Sequence, residues 1–206
     1  MARGATARLF VAVDPPAEVR EELVEWAREA VADRASWRSR RPRRPQRPPR
    51  LLKAEGLHLT LCFLGSRPVG EIPALVSALE TGAEEAGELS VGAPLWLPPR
   101  RPRALAVEIH DRTGALAGLQ AWLIGALSQA SGWEPERRRF RPHITLVRMG
   151  EGLAPVAAAP GEPSLLAPTP QLRFTPESMV LYRSRPEPGG ATYEALASSP
   201  LGPALL

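Results

Sequence analysis

Two tetrads of one form, His58-Leu59-Thr60-Leu61 and His143-Ile144-Thr145-Leu146, stand 85 positions apart in a chain of 206 residues. Their internal spacing limits what each can be locally. Along a β-strand successive side chains point to opposite faces, so His and Thr project together while the aliphatic residues between and after them enter a core. Each tetrad is then a small polar platform, an imidazole beside a hydroxyl, on a rigid element. Only three histidines occur, and two of them open this tetrad. With 8 threonines in 206 positions, a Thr two places after any one His has a chance of about one in 25. The repetition marks a built feature.

The flanking chain repeats the same order. An apolar strand over 7–13 stops at Asp14-Pro15-Pro16. The spacing of Val19, Leu23, Trp26, Ala27, Ala30 and Val31 predicts an amphipathic helix over 17–35. The first tetrad follows in a strand over 57–64, ended by Gly65. A second helix is expected over 71–86, strands over 89–97 and 103–109, and a strongly apolar third helix over 113–130. The second tetrad opens a strand over 143–147. A Pro/Ala-rich loop is read over 150–170, and 173–182 supplies at least one closing strand. Strand, helix and tetrad thus occur twice, which predicts a two-lobed α+β fold.

The net charge of +4 favours an anionic partner. Lys53 is the only lysine, so the positive charge is almost wholly arginine. Much of it lies in 38–50, an Arg/Pro-rich stretch without apolar periodicity, expected as an exposed loop. It reads either as solvated surface or as an RNA clamp. Cys62 is the only cysteine, so no intramolecular disulfide forms. The apolar run near the N-terminus is too short for a signal peptide or a membrane span, so a cytoplasmic protein without membrane attachment is expected. No metal-ligand spacing and no phosphate-cradling glycine loop is visible; neither metal nor cofactor is expected.

Two facing platforms put two imidazoles and two hydroxyls around one space. A general acid and a general base on opposite sides of a phosphorus atom suit in-line displacement, with hydroxyls donating to the non-bridging oxygens where charge accumulates. Taken singly, either histidine reads equally well as a hydrogen-bonded structural residue. His110 lacks such context and reads as structural or exposed. Arg148 competes as a surface ion pair. Phe63 falls on the core side under ideal alternation, unless the strand bulges. Cys62 shares parity with His58 and Thr60 and is expected to line the cleft, without a catalytic part.

The chain resembles the 2H phosphoesterase superfamily, and within it the RNA 2′,3′-cyclic phosphodiesterases, also called 2′-5′ RNA ligases (LigT- or ThpR-like). The resemblance rests on Leu9-Phe10-Val11-Ala12-Val13-Asp14, on Leu57-His58-Leu59-Thr60-Leu61-Cys62-Phe63-Leu64-Gly65, and on Arg141-Pro142-His143-Ile144-Thr145-Leu146-Val147-Arg148. It extends to Leu181-Tyr182-Arg183-Ser184 and Tyr193-Glu194. It implies one bilobal domain over 1–206, pseudo-symmetric, with antiparallel sheets lining a central cleft and helices outside. It also implies metal-independent opening of a ribose 2′,3′-cyclic phosphate to a 2′-phosphomonoester, reversible as 2′-5′ ligation. By that likeness His58 protonates the departing O3′ and His143 activates water. Thr60 and Thr145 hold phosphate oxygens, Arg148 contacts phosphate or base, and Phe63 stacks on the terminal base. The implied partner is RNA with a 2′,3′-cyclic phosphate end, tRNA fragments included, and the implied state is a monomer. The loop over 38–50 is longer than is usual in the family, which bears on substrate length. Two other readings stay open: an RNA-end-binding module without turnover, and a phosphodiesterase for another small cyclic nucleotide such as ADP-ribose 1″,2″-cyclic phosphate.

Overall fold

The computed structural model describes residues 5–32, 37–39, 49–80, 85–99, 102–149, 153–155, 166–187 and 190–202. Strand β1 (Thr6–Val13) runs into helix α1 (Ala17–Ala32), followed by the short strands β2 (Trp37–Ser39) and β3 (Arg50–Leu51). Strand β4 (Leu59–Pro68) and helix α2 (Ile72–Glu80) complete the first half. Next come β5 (Leu89–Leu97), β6 (Ala104–Asp111), α3 (Ala115–Ser131) and β7 (His143–Arg148). The chain closes with β8 (Leu153–Pro155), β9 (Arg173–Phe174), β10 (Ser178–Glu187) and β11 (Gly190–Pro200).

Nine strands form one antiparallel sheet in the order β11-β10-β1-β4-β7-β6-β5-β9, with β3 added on β7; β2 and β8 pair separately. The sheet divides into two half-sheets, β11-β10-β1-β4 and β7-β6-β5-β9. They join at one residue pair, Leu59 with Ile144. Beyond it the strands part, because β3 takes the edge of β7: Arg50 pairs with Arg148 and Leu51 with Val147. The two tetrads meet at this junction.

One face of the sheet is covered by helices. In α3 the leucines 116, 119, 123 and 127 recur at three- and four-residue steps and are all fully buried. Burial of each stabilises by about 1.5–3 kcal/mol. Asp111 accepts from the N–H groups of Gly114 and Ala117 at 2.9 and 3.0 Å, satisfying donors that the first turn of α3 leaves open. Helix α1 buries Val19, Leu23, Trp26 and Ala27, the stripe the periodicity predicts. These side chains share one apolar cluster with Leu9, Val11 and Val13 of β1 and Leu105, Val107 and Ile109 of β6. No helix among the described residues is long and apolar enough to cross a membrane.

Three expectations change, and one strand is added. Gly65 does not end β4. It adopts φ +72° where the register to β1 slips, and the strand continues to Pro68; a glycine at positive φ absorbs a bulge without steric cost. Residues 173–182 are not one strand, because Pro176 cannot donate to a ladder and the chain crosses from β9 at one edge to β10 in the other half. The edge strand β11 has no counterpart among the sequence expectations: only Ser199 of its residues is buried, so it carries no apolar alternation. The ends of the Arg/Pro stretch lie in β2 and β3, so 38–50 is not a loop throughout; residues 40–48 lie outside the described set.

Candidate active site

The pairing of Leu59 with Ile144 sets the positions of the four polar residues. Both aliphatic side chains are fully buried, so the residues one step either side face away from the core. Extending an antiparallel register puts His58 across from Thr145 and Thr60 across from His143, with backbones about 5 Å apart. Each imidazole therefore neighbours the other tetrad's hydroxyl. A pseudo-twofold axis runs through the Leu59/Ile144 pair.

The fourth letter of each tetrad has a structural role. On β4, Thr60 pairs with Ala12 and Cys62 with Val11, leaving Leu61 as an extra residue. On β7, Thr145 pairs with Ala106 and Val147 with Leu105, leaving Leu146 as the extra one. These are equivalent bulges, and a bulge reverses the alternation beyond it. The third residue after each threonine consequently returns to the polar face: Phe63 in one half, Arg148 in the other. Phe63 is 36% exposed, which decides against a core position. Cys62 goes the other way. It is buried in the apolar cluster, where loss of solvation pushes its thiol up to about 12, and it does not line the cleft. Simple alternation fails there because the bulge lies between Thr60 and Cys62.

The imidazoles are held identically. Nδ1 of His58 lies 2.9 Å from the Gly56 carbonyl, and Nδ1 of His143 lies 2.7 Å from the Arg141 carbonyl. A carbonyl only accepts, so each Nδ1 carries the hydrogen and Nε2 is left for proton transfer. Their surroundings differ. The His58 ring lies 4.8 Å from Phe10 and 4.9 Å from Tyr193, with Tyr182 at 6.2 Å. That aromatic wall desolvates His58 and holds its pKa below the usual 6.5, against the raising effects of the Gly56 carbonyl and of Asp14. Asp14 in turn accepts from the Tyr182 hydroxyl at 2.5 Å. His143 has Glu108 across the ladder, and Glu108 ion-pairs with Arg141 at 3.3 Å.

Arg148 is exposed, makes no ion pair with a described residue, and is close enough to His58 to lower its pKa. The Arg8 guanidinium stands 4.8 Å from the Phe63 ring centroid, a cation–π distance. His110 is exposed, 3.6 Å from Glu108. Among the described residues no group of three His, Cys, Asp or Glu side chains gathers as metal ligands would. Sequence reasoning attaches no role to Phe10, Asp14, Glu108, Tyr182 or Tyr193. Parity on β1 and β6 is the available signal: Phe10 and Ala12 occupy one face of β1, with Asp14 next in the same alternation just past its end, as Ala104, Ala106 and Glu108 occupy one face of β6.

Residues 15–187 match the profile of the 2′-5′ RNA ligase superfamily. The chain belongs to that superfamily. An RNA 2′,3′-cyclic phosphodiesterase of Thermus thermophilus is 30% identical over 201 residues, covering 92% of this chain and 87% of that protein. One from Escherichia coli is 29% identical over 151 residues, covering 68% and 71%. Among solved structures of the same fold, Escherichia coli LigT complexed with 3′-AMP superposes with a TM-score of 0.72 at 25% identity, covering 97% of this chain and 100% of that one. A Thermus thermophilus crystal structure gives 0.69 at 29%, covering 94% and 97%. The α+β architecture, a curled antiparallel sheet backed by three helices, is thus the superfamily's own.

Proposed function

We propose that this chain hydrolyses RNA 2′,3′-cyclic phosphate ends to 2′-phosphomonoesters, with His58 and His143 as the proton-transfer pair. The observation that carries it is the single Leu59/Ile144 pair, which brings two imidazole–hydroxyl platforms to one cleft. The activity is that named for its relatives in Thermus thermophilus and Escherichia coli.

In this mechanism Nε2 of His143 takes a proton from water as the water oxygen bonds to phosphorus. The P–O3′ bond breaks, and Nε2 of His58 gives its proton to O3′. The products are a 2′-phosphate and a free 3′-hydroxyl. Thr60 and Thr145 donate to the non-bridging oxygens, and Arg148 offsets their charge. Phe63 offers its face to the terminal base, where stacking contributes about 1–3 kcal/mol. Burial of His58 suits the acid role in one respect: an imidazolium that holds its proton weakly is a strong donor to a poor leaving group. The anionic phosphate arriving beside it restores that proton. With the 5′-hydroxyl of a second strand in place of water, the same steps open the cyclic phosphate at P–O3′ and join the two ends through a 2′-5′ linkage. The reading takes the chain as one bilobal unit acting as a cytoplasmic monomer, with tRNA fragments among its substrates.

The test is product analysis on a defined oligoribonucleotide with a 2′,3′-cyclic phosphate end. A 2′-phosphate with a free 3′-hydroxyl is expected. Tight binding without product, or a 3′-phosphate product, sinks the proposal.

A further inference from the structure

The segment that brings His143 into the sheet carries charge that the proposed chemistry leaves unused. Between α3 and β7 the chain reads Glu136-Arg137-Arg138-Arg139-Phe140-Arg141-Pro142, and all four arginines are exposed. Arg141 reaches Glu108, whereas Arg137, Arg138 and Arg139 make no ion pair with a described residue. Like charges held side by side repel and favour an anionic partner. Arg139 is four residues before His143, so its backbone lies within about 14 Å of that histidine.

A cavity lies on the same side. Ser90 of β5 pairs with His110 of β6 and with Arg173 of β9, and the Ile109 N–H donates to the Pro142 carbonyl at 3.0 Å. Arg173, Ser90 and His110 therefore form a row across the sheet that continues to Arg141. The row lies two residues along β6 from Glu108, the ladder partner of His143, a step of about 7 Å. Beside it opens a cavity of about 450 Å³, lined also by Gly92, Thr169 and Gln171. Such a volume falls in the range of small-ligand sites. The His110 ring rests on Gly92, where any Cβ would come within 2.5 Å of Nε2. Glu88 pairs with Arg173 at 2.9 Å, and Glu108 pairs with both His110 and Arg141. Those carboxylates offset the row, whereas the three arginines upstream, with Glu134 and Glu136 before them in sequence, make no ion pair with a described residue.

We infer that the RNA strand 5′ to the reacting end leaves the histidines on the His143 side, places its next nucleotide in this cavity, and is held by phosphate contacts from Arg137, Arg138 and Arg139. This rests on the proposed chemistry, since it supposes that RNA occupies the cleft.

The test compares the wild type with a variant carrying Arg137→Ser, Arg138→Ser and Arg139→Ser. Binding of a ten-nucleotide RNA ending in a 2′-phosphate is followed by fluorescence anisotropy across salt concentrations. Turnover is measured on that RNA's cyclic-phosphate form and on a nucleoside 2′,3′-cyclic phosphate. Three lost contacts reduce the slope of log K against log salt by about 2. Oligonucleotide kcat/KM at low salt falls about tenfold or more, and mononucleotide turnover changes less than about twofold. An unaltered slope, or an equal loss on the mononucleotide, overturns the arginine track. A second variant, Ala93→Trp at the cavity mouth, removes any preference for a dinucleotide over a mononucleotide; a preference that survives overturns the cavity assignment. If wild-type protein turns over neither substrate, the cyclic phosphodiesterase reading has failed, and the salt slopes still decide whether RNA follows this surface.

Discussion

His58 and His143 sit at equivalent points of the two half-sheets, each with Nδ1 held by the carbonyl two residues before it, yet one is walled by rings and the other by charges. Phe10, Tyr182 and Tyr193 enclose His58; Glu108 and Arg141 flank the His143 side. The backbone supplies the symmetry, namely two tetrads, two bulges and one shared ladder pair. The neighbouring strands break it. A pair of identical imidazoles would titrate together, whereas acid–base catalysis needs one protonated and one free. The ring wall lowers the His58 pKa, so His58 serves as the acid only once the arriving phosphate has restored its proton.

The comparison is broken most directly by removing either ring. His58→Ala and His143→Ala should each lower kcat by about 10²–10⁴-fold, with far-ultraviolet circular dichroism unchanged. The double variant should be little worse than the more damaged single one, because the two act as a unit. If one single variant keeps near wild-type turnover, the two halves are not partners.

The residues after the bulges come next. Phe63→Ala should raise KM for a base-bearing substrate by about 5–150-fold, the equivalent of one lost stacking contact, with a smaller change in kcat. Arg148→Met should instead lower kcat/KM and raise the His58 pKa, since Arg148 depresses it. Identical kinetic signatures for the two variants would mean that the pseudo-equivalent positions are not specialised.

The smallest effect separates the acid from the base. Asp14 raises the His58 pKa, so Asp14→Asn should lower it further below the usual 6.5. If His58 is the acid, the alkaline limb of the kcat/KM profile moves to lower pH and the acid limb stays; movement of the acid limb instead makes His58 the base. A profile with neither limb displaced would show that Asp14 does not act on His58. Linkage gives the same sign for stability. A histidine with a depressed folded pKa makes the unfolded state the better proton binder, so stability declines as pH falls from about 6.5 through the folded value.

Much of this is legible from residue order. The matched tetrads mark the proposed site, the leucine and valine spacings mark α1 and α3, and the duplicated order marks the two halves. The misplacements have one cause in common: they depend on partners far away in sequence. Alternation carried through Thr60 without the bulge puts Cys62 in the cleft, and a bulge exists only relative to the strand opposite. Phe63 stays between core and cleft in the sequence for the same reason. Strand β11 has little burial of its own and is ordered by its pairing to β10. The split of 173–182 depends on Pro176 and on which sheet edge each piece finds.

By itself the sequence determined the chemistry on offer: two imidazoles, two hydroxyls and the aliphatic backing that turns them outward, because side-chain alternation is a local property of extended chain. Only the tertiary structure decided that the tetrads meet at Leu59 and Ile144, that Phe63 and Arg148 join their face, and that three rings from β1, β10 and β11 enclose His58. Register and desolvation are set by neighbours tens of residues away, and no local pattern records them.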